Sequence, residues 1–187
     1  MTLVHVVIAK SVEELRQARS IRYHAYVDAG HVEPSTDPYL GDHRDASATC
    51  FVAYVDGHAE AVGTVRALVH DTSLFEAGDI VEQVMRPRER VCELTKLAVL
   101  PAFQKRKDEA NVFVHLSRAV SRWLIERADI DAAYVVTIEK NAQLYERLGF
   151  RRVRGPFDYP PYPRPHFALR LGTEEALPLR WRKRSGE

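Results

Sequence analysis

The chain has 187 residues, a length that suits one domain with a core of its own, and its 27 lysines and arginines nearly cancel its 26 aspartates and glutamates. A formal charge of +1 supplies no general field toward nucleic acid or an anionic membrane, so an acidic ligand must be held by local basic residues. Cys50 and Cys92 sit in apolar runs without metal-site spacing, no apolar run approaches the ~20 residues of a membrane span, and the N-terminus lacks a signal-like lead-in; free buried thiols, no metal and a cytoplasmic location are expected.

Val4 to Ala9 reads as a first strand. Ser11-Val12-Glu13-Glu14 is a capping box that opens a helix running to about Val27, with Leu15, Ala18, Ile21 and Ala25 as its apolar stripe. Gly30, Pro34, Pro38 and Gly41 make Asp28 to Thr49 a long loop, and loops of that length in compact domains are often functional. Cys50 to Val55 and Ala61 to Val69 are β-rich runs joined through Asp56-Gly57, a hairpin signal.

After a variable, charge-rich segment, Val91 to Val99 alternates as a strand. Lys107 to Ala128 is the longest helical pattern, with Val112, Leu116, Val120, Trp123 and Leu124 on one side. Asp131 to Thr137 reads as a strand, and Asn141 to Leu148 as a short helix that Asn141 can cap and Gly149 can stop. Arg151 to Val153 and His166 to Leu171 close as strands. Between them, Gly155 to Pro165 reads as a stiff proline-rich connector whose Tyr159 and Tyr162 either line a pocket mouth or pack on the prolines.

The order implies an α/β (α+β) fold with a mixed, mostly antiparallel sheet flanked by helices. The boundaries expected are a domain over residues 1–172 and a basic tail over 173–187, the tail carrying Arg180, Arg182, Lys183 and Arg184 around Trp181. There is no internal repeat and no nucleotide-binding glycine fingerprint.

The run Asn141-Ala-Gln-Leu-Tyr-Glu-Arg-Leu-Gly-Phe150 after an apolar strand resembles the C-terminal signature of the GCN5-related N-acetyltransferase (GNAT) superfamily. By that resemblance Tyr145 lies near the acyl thioester sulfur and protonates the leaving thiolate; the plain alternative is a buried helix stripe. Glu93 lies in an otherwise apolar strand, where a carboxylate needs a partner or a task. The superfamily implies a base for the amine proton at this position, and a structural ion pair with Lys96 or Arg66 is the alternative.

The superfamily's glycine-rich pyrophosphate loop is missing, because Pro101 to Ala110 contains no glycine. Together with Arg22-Tyr23-(x2)-Tyr26, the loop around Asp42 and Asp45, Gly63-Thr64-Val65-Arg66 and Glu93-Leu94-Thr95-Lys96, this resembles acyl-homoserine-lactone synthases and, more closely, N-acyl amino acid synthases. The synthases' E-x-S-R pattern stands here as E-x-T-K, so Lys96 replaces a planar arginine. The resemblance implies an N-acyltransferase moving an acyl group from a thioester, on acyl carrier protein or coenzyme A, to the amine of a small acceptor, an amino acid. An acetyl-coenzyme A acetyltransferase and an idle acyl-binding regulator are the alternatives.

On the acceptor side the resemblance implies Arg22, Tyr26, Asp45, Arg66 and Lys96, with Asp42 as the choice if the loop registers differently. Arg66 would clamp an acceptor carboxylate, or else pin the loop through Asp45. On the donor side it implies Leu97, Val99, Gln104, Lys105, Arg106 and Asn141, with Lys105, Arg106 and Lys107 facing a carrier protein or a phosphopantetheine phosphate. No permanent cofactor and no nucleic-acid partner are implied, and monomer and homodimer both stay open.

Overall fold

The computed structural model describes residues 3–104, 111–160 and 162–174. Its seven strands are β1 (Val4–Ile8), β2 (Thr49–Val55), β3 (Gly63–Val69), β4 (Val91–Val99), β5 (Ala132–Ile138), β6 (Arg151–Tyr159) and β7 (Tyr162–Gly172), in the sheet order β1-β2-β3-β4-β5-β7-β6. Among the described residues five α-helices accompany them: α1 (Val12–Asp28), α2 (Gly78–Val84), α3 (Pro101–Gln104), α4 (Val112–Glu126) and α5 (Glu139–Arg147). The β4–β5 pairing is parallel, whereas β1–β2, β2–β3, β5–β7 and β6–β7 are antiparallel. This is the expected mixed, mostly antiparallel α/β architecture. No helix among the described residues is long and apolar enough to cross a membrane.

The chain divides into two compact units. The first is Met1–Ala67 with Thr95–Val120. Here β1 registers on β2 from Val4↔Val55 to Ile8↔Phe51, and β2 on β3 from Thr49↔Ala67 to Ala53↔Gly63. The capping box of α1 is formed: the Ser11 hydroxyl accepts from the Glu14 amide at 3.1 Å while the Glu14 carboxylate accepts from the Ser11 amide at 2.9 Å. From that start α1 lays Ala18, Ile21 and Ala25 against Val52, Ala61 and Ala98. Leu15, also expected in the stripe, is only half-buried. At Gly63 a β-carbon would come within 2.5 Å of Val112 Cγ1, so the strand lets the helix side chain in because it has none of its own.

The second unit is Leu68–Leu94 with Ser121–Glu187. Its centre is β5, registered on β4 from Val91↔Ala132 to Glu93↔Tyr134 and on β7 from Ala132↔Gly172 to Ile138↔His166. Ala132, Ala133 and Tyr134 are wholly buried, as a strand paired on both sides requires.

Several expectations need correction. The hairpin expected through Asp56-Gly57 is present as the antiparallel pair β2–β3, with Gly57 at a positive φ (83°), but β3 starts at Gly63 and not at Ala61, so the connection runs over 56–62. Asn141 does not cap α5, which starts at Glu139 after Ile138 and has no side-chain cap; Asn141 is exposed within the first turn. Gly155 to Pro165 is not a connector, because β6 and β7 run through it and meet at Tyr159↔Tyr162. The expected strands at Arg151 to Val153 and His166 to Leu171 are present as parts of β6 and β7; the prolines hid how far they extend, and the ladder carries register shifts there. Helices α2 and α3 were not expected. The first residues of the pattern from Lys107 lie outside the described residues, as does the tail beyond Glu174.

Candidate active site

In the first unit, α1 and β3 each drive an arginine into the interior. Arg22 and Arg66 are both 0% exposed, and the long loop answers with Asp42 and Asp45 at its short 3-10 turn, His43–Ala46. Arg22 Nη1 donates to Asp45 Oδ1 at 2.7 Å, and Arg66 Nη1 donates to the same oxygen at 2.8 Å. Arg66 also spans Asp42 with its fork, at 2.6 Å and 3.1 Å, while its Nε donates to the Thr95 hydroxyl of β4 at 3.1 Å. Arg19 adds a third contact to Asp45 at 3.0 Å.

Burial alone raises the Asp45 carboxyl, but Arg22 and Arg66 together outweigh it and hold it at about 2. Asp42 is lowered by the same balance, with burial opposing Arg66. Arg22 Nη2 donates to Cys50 Sγ at 3.3 Å, whereas its buried Nε has no partner among the described residues. Gly41 passes so close that a β-carbon there would meet Arg19 Nε at 2.7 Å. Both aspartates offered by the sequence therefore engage Arg66, and the ion pair that pins the loop is formed.

Tyr26 and Lys96 meet as well, with Lys96 Nζ 5.9 Å from the centre of the Tyr26 ring. Lys96 holds φ at 53° inside β4, a left-handed kink that a non-glycine residue adopts at a cost of roughly 1–3 kcal/mol. Leu97 and Val99 follow on the same strand, half-buried. Gln104, exposed at the end of α3, donates to the Val99 carbonyl at 2.8 Å. Lys105 and Arg106 lie outside the described residues.

In the second unit Glu93 is 1% exposed. Its Oε2 accepts from the Glu76 amide at 2.6 Å and its Oε1 from the Ala77 amide at 2.9 Å, so two adjacent backbone donors spread across the carboxylate. This turn precedes α2, and Gly78 closes it: a β-carbon there would lie 2.2 Å from the Thr72 carbonyl oxygen. Tyr145 is buried in α5 with its ring edge-on to Phe150 at 5.2 Å, and burial pushes its phenol well above the usual range. A phenol so placed stays protonated and has a proton or a hydrogen bond to give.

Sequence reasoning missed the amides that hold Glu93, since backbone donors carry no residue signature. It also missed a second buried group in this unit, in which Glu89 accepts from Arg170 at 2.6 Å and from the Tyr134 hydroxyl at 2.6 Å. The charge-rich segment before Val91 was the available signal. Among the described residues no three potential ligand side chains gather as a metal site.

The sequence profile of a family described as N-acyl amino acid synthase FeeM matches residues 17–172. No curated protein sequence matches the chain. Among solved structures, FeeM itself, an N-acyl amino acid synthase from uncultured soil microbes, is 19% identical with a TM-score of 0.73, covering 94% of each chain. A CoA-dependent acyl-homoserine lactone synthase, BjaI, solved with SAM and isopentyl-CoA, is 17% identical with a TM-score of 0.71, over 96% of this chain and 88% of its own. Arabidopsis thaliana NAA60, in complex with acetyl-CoA, is 16% identical with a TM-score of 0.59, over 91% and 99%. At these identities the structural likeness shows the fold, which is that of the GNAT superfamily.

Proposed function

Because the chain belongs to the FeeM family of N-acyl amino acid synthases, an N-acyltransferase family, we propose that it joins a thioester-borne acyl group to the amino group of an amino acid, with acyl carrier protein as the preferred donor and acyl-coenzyme A as the alternative. The observation that carries this reading is the extent of the family match, residues 17–172, which takes in every candidate site residue described above. The absence of glycine from Pro101 to Ala110 supports the carrier protein over free coenzyme A, whose pyrophosphate needs close backbone approach.

In the proposed reaction the free amine attacks the thioester carbonyl, a C–N bond forms and the C–S bond breaks. Glu93 takes the amine proton through a water. Tyr145 gives its proton or a hydrogen bond to the departing thiolate. Arg66 and Arg22 serve as the anchor of the Asp42–Asp45 loop, with both guanidiniums fully buried, the Arg66 fork spent on Asp42 and Asp45, and Arg22 giving Nη1 to Asp45 and Nη2 to Cys50 Sγ. Lys96 and Tyr26 are the better candidates to meet the acceptor. The thioester is already activated, so this chemistry calls for no permanent cofactor.

The test is a product assay: acyl carrier proteins and coenzyme A esters of graded chain length are offered with the proteinogenic amino acids, and products are read by mass spectrometry. Long-chain N-acyl amino acids from the carrier protein are expected. Acetylated product from acetyl-coenzyme A alone would replace this reading with an acetyltransferase, and acyl binding without turnover would replace it with an idle regulator.

A further inference from the structure

The Tyr159 hydroxyl, at the end of β6, donates to the Glu76 carbonyl at 2.9 Å. That carbonyl belongs to the same peptide group as the Ala77 N–H, which donates to Glu93 Oε1 at 2.9 Å. A peptide is a conjugated unit, so a donor on its oxygen draws electron density through the C–N bond and makes its N–H a stronger donor. The hydroxyl, the peptide and the carboxylate thus form one polarised line.

The ring that carries the hydroxyl is itself braced. It stacks on Tyr162 at 5.9 Å and 17°, with His166 at 5.2 Å, and the His166 ring is tied by its Nδ1 to the Arg164 carbonyl at 2.7 Å. The β6–β7 hairpin therefore fixes where the hydroxyl points. It does so on a turn that already has no slack, since Gly78 sits against the Thr72 carbonyl.

We infer that Tyr159 is a positioning residue for the acyl transfer, acting through the Glu76–Ala77 peptide to set the place and the charge distribution of the Glu93 carboxylate. The inference rests on the reading of Glu93 as the proton acceptor. Neither tyrosine of this hairpin has a role in that reading, and the hydrogen bond places Tyr159 at the turn that holds the carboxylate.

The experiment uses the full chain, labelled with 15N, and three variants: Tyr159→Phe, Tyr162→Phe and Glu93→Gln. Tyr159→Phe keeps the stacked ring and removes one hydroxyl. The Ala77 amide proton should move upfield in Tyr159→Phe and stay in place in Tyr162→Phe, and kcat should fall about two- to threefold at unchanged KM in the first variant alone, the size of a partial loss of one charge-assisted hydrogen bond. An Ala77 resonance that does not move overturns the inference, and so does a moved resonance with wild-type kcat. If Glu93→Gln remains folded and fully active, the reading of Glu93 fails and takes this inference with it; an inactive Glu93→Gln beside a silent Tyr159→Phe removes the inference alone.

Discussion

At the scale of single residues, Asp45 has the most to lose. With Arg22 and Arg66 both fully buried, Asp45→Asn leaves guanidinium charge uncompensated, and a loss of about 3–5 kcal/mol is expected in urea unfolding. The folded carboxyl lies at about 2 against an ordinary 3.8, so the group binds protons more weakly folded than unfolded. Its share of stability, about 2 kcal/mol, is full above pH ~4 and should be lost as pH falls toward 2, which unfolding midpoints measured across that window would show.

Glu93→Gln should cut turnover by roughly 10²-fold. It should also lower stability by about 1–3 kcal/mol, because the new amide must face one of two buried N–H donors with another N–H. A stability loss with normal turnover would make Glu93 an anchor of the turn and no more. Tyr145→Phe should slow single turnovers nearer tenfold than a thousandfold at near-normal stability, the scale of one hydrogen bond to a charged group. The residues of the loop-anchoring cluster were legible in the sequence, since charged side chains in apolar runs announce themselves. The backbone amides that hold Glu93 were not.

At the scale of elements, the capped start of α1 read correctly, whereas the start of α5 did not. Ser11 with Glu14 marked the start of α1, and Ser11→Ala should cost about 1 kcal/mol, or roughly 2–4 °C in melting temperature. Helix α2 was invisible because its seven residues are too few to show a period and its preceding residue, Ala77, offers no side-chain cap. A carboxylate fifteen or more positions along the chain holds that entry instead. Gly78→Ala is the corresponding test: the added methyl meets the Thr72 carbonyl, so both the urea midpoint and turnover should fall together, whereas Gly57→Ala, in open space, should show only the strain of its positive φ and normal turnover. Strands β6 and β7 were read at Arg151 to Val153 and His166 to Leu171, and their extension through 155–165 was hidden for another reason: prolines argue against a strand interior, and the ladder there carries register shifts.

For the whole molecule, a net charge near zero means that any attraction to an acidic carrier protein is local. Replacing Lys105 and Arg106 together by alanine should raise KM for an acyl carrier protein about tenfold, flatten its dependence on salt, and leave coenzyme A esters unaffected. The anchoring of the long loop bears on how such enzymes could be recombined. Residues 29–48 look like a cassette to be exchanged for a new acceptor, yet Asp42 and Asp45 are mated to arginines on α1 and β3, and Gly41 is fitted around Arg19. A transplanted loop lacking that acidic pair would strand two buried cations in the host, so a working exchange has to carry loop, helix and strand together.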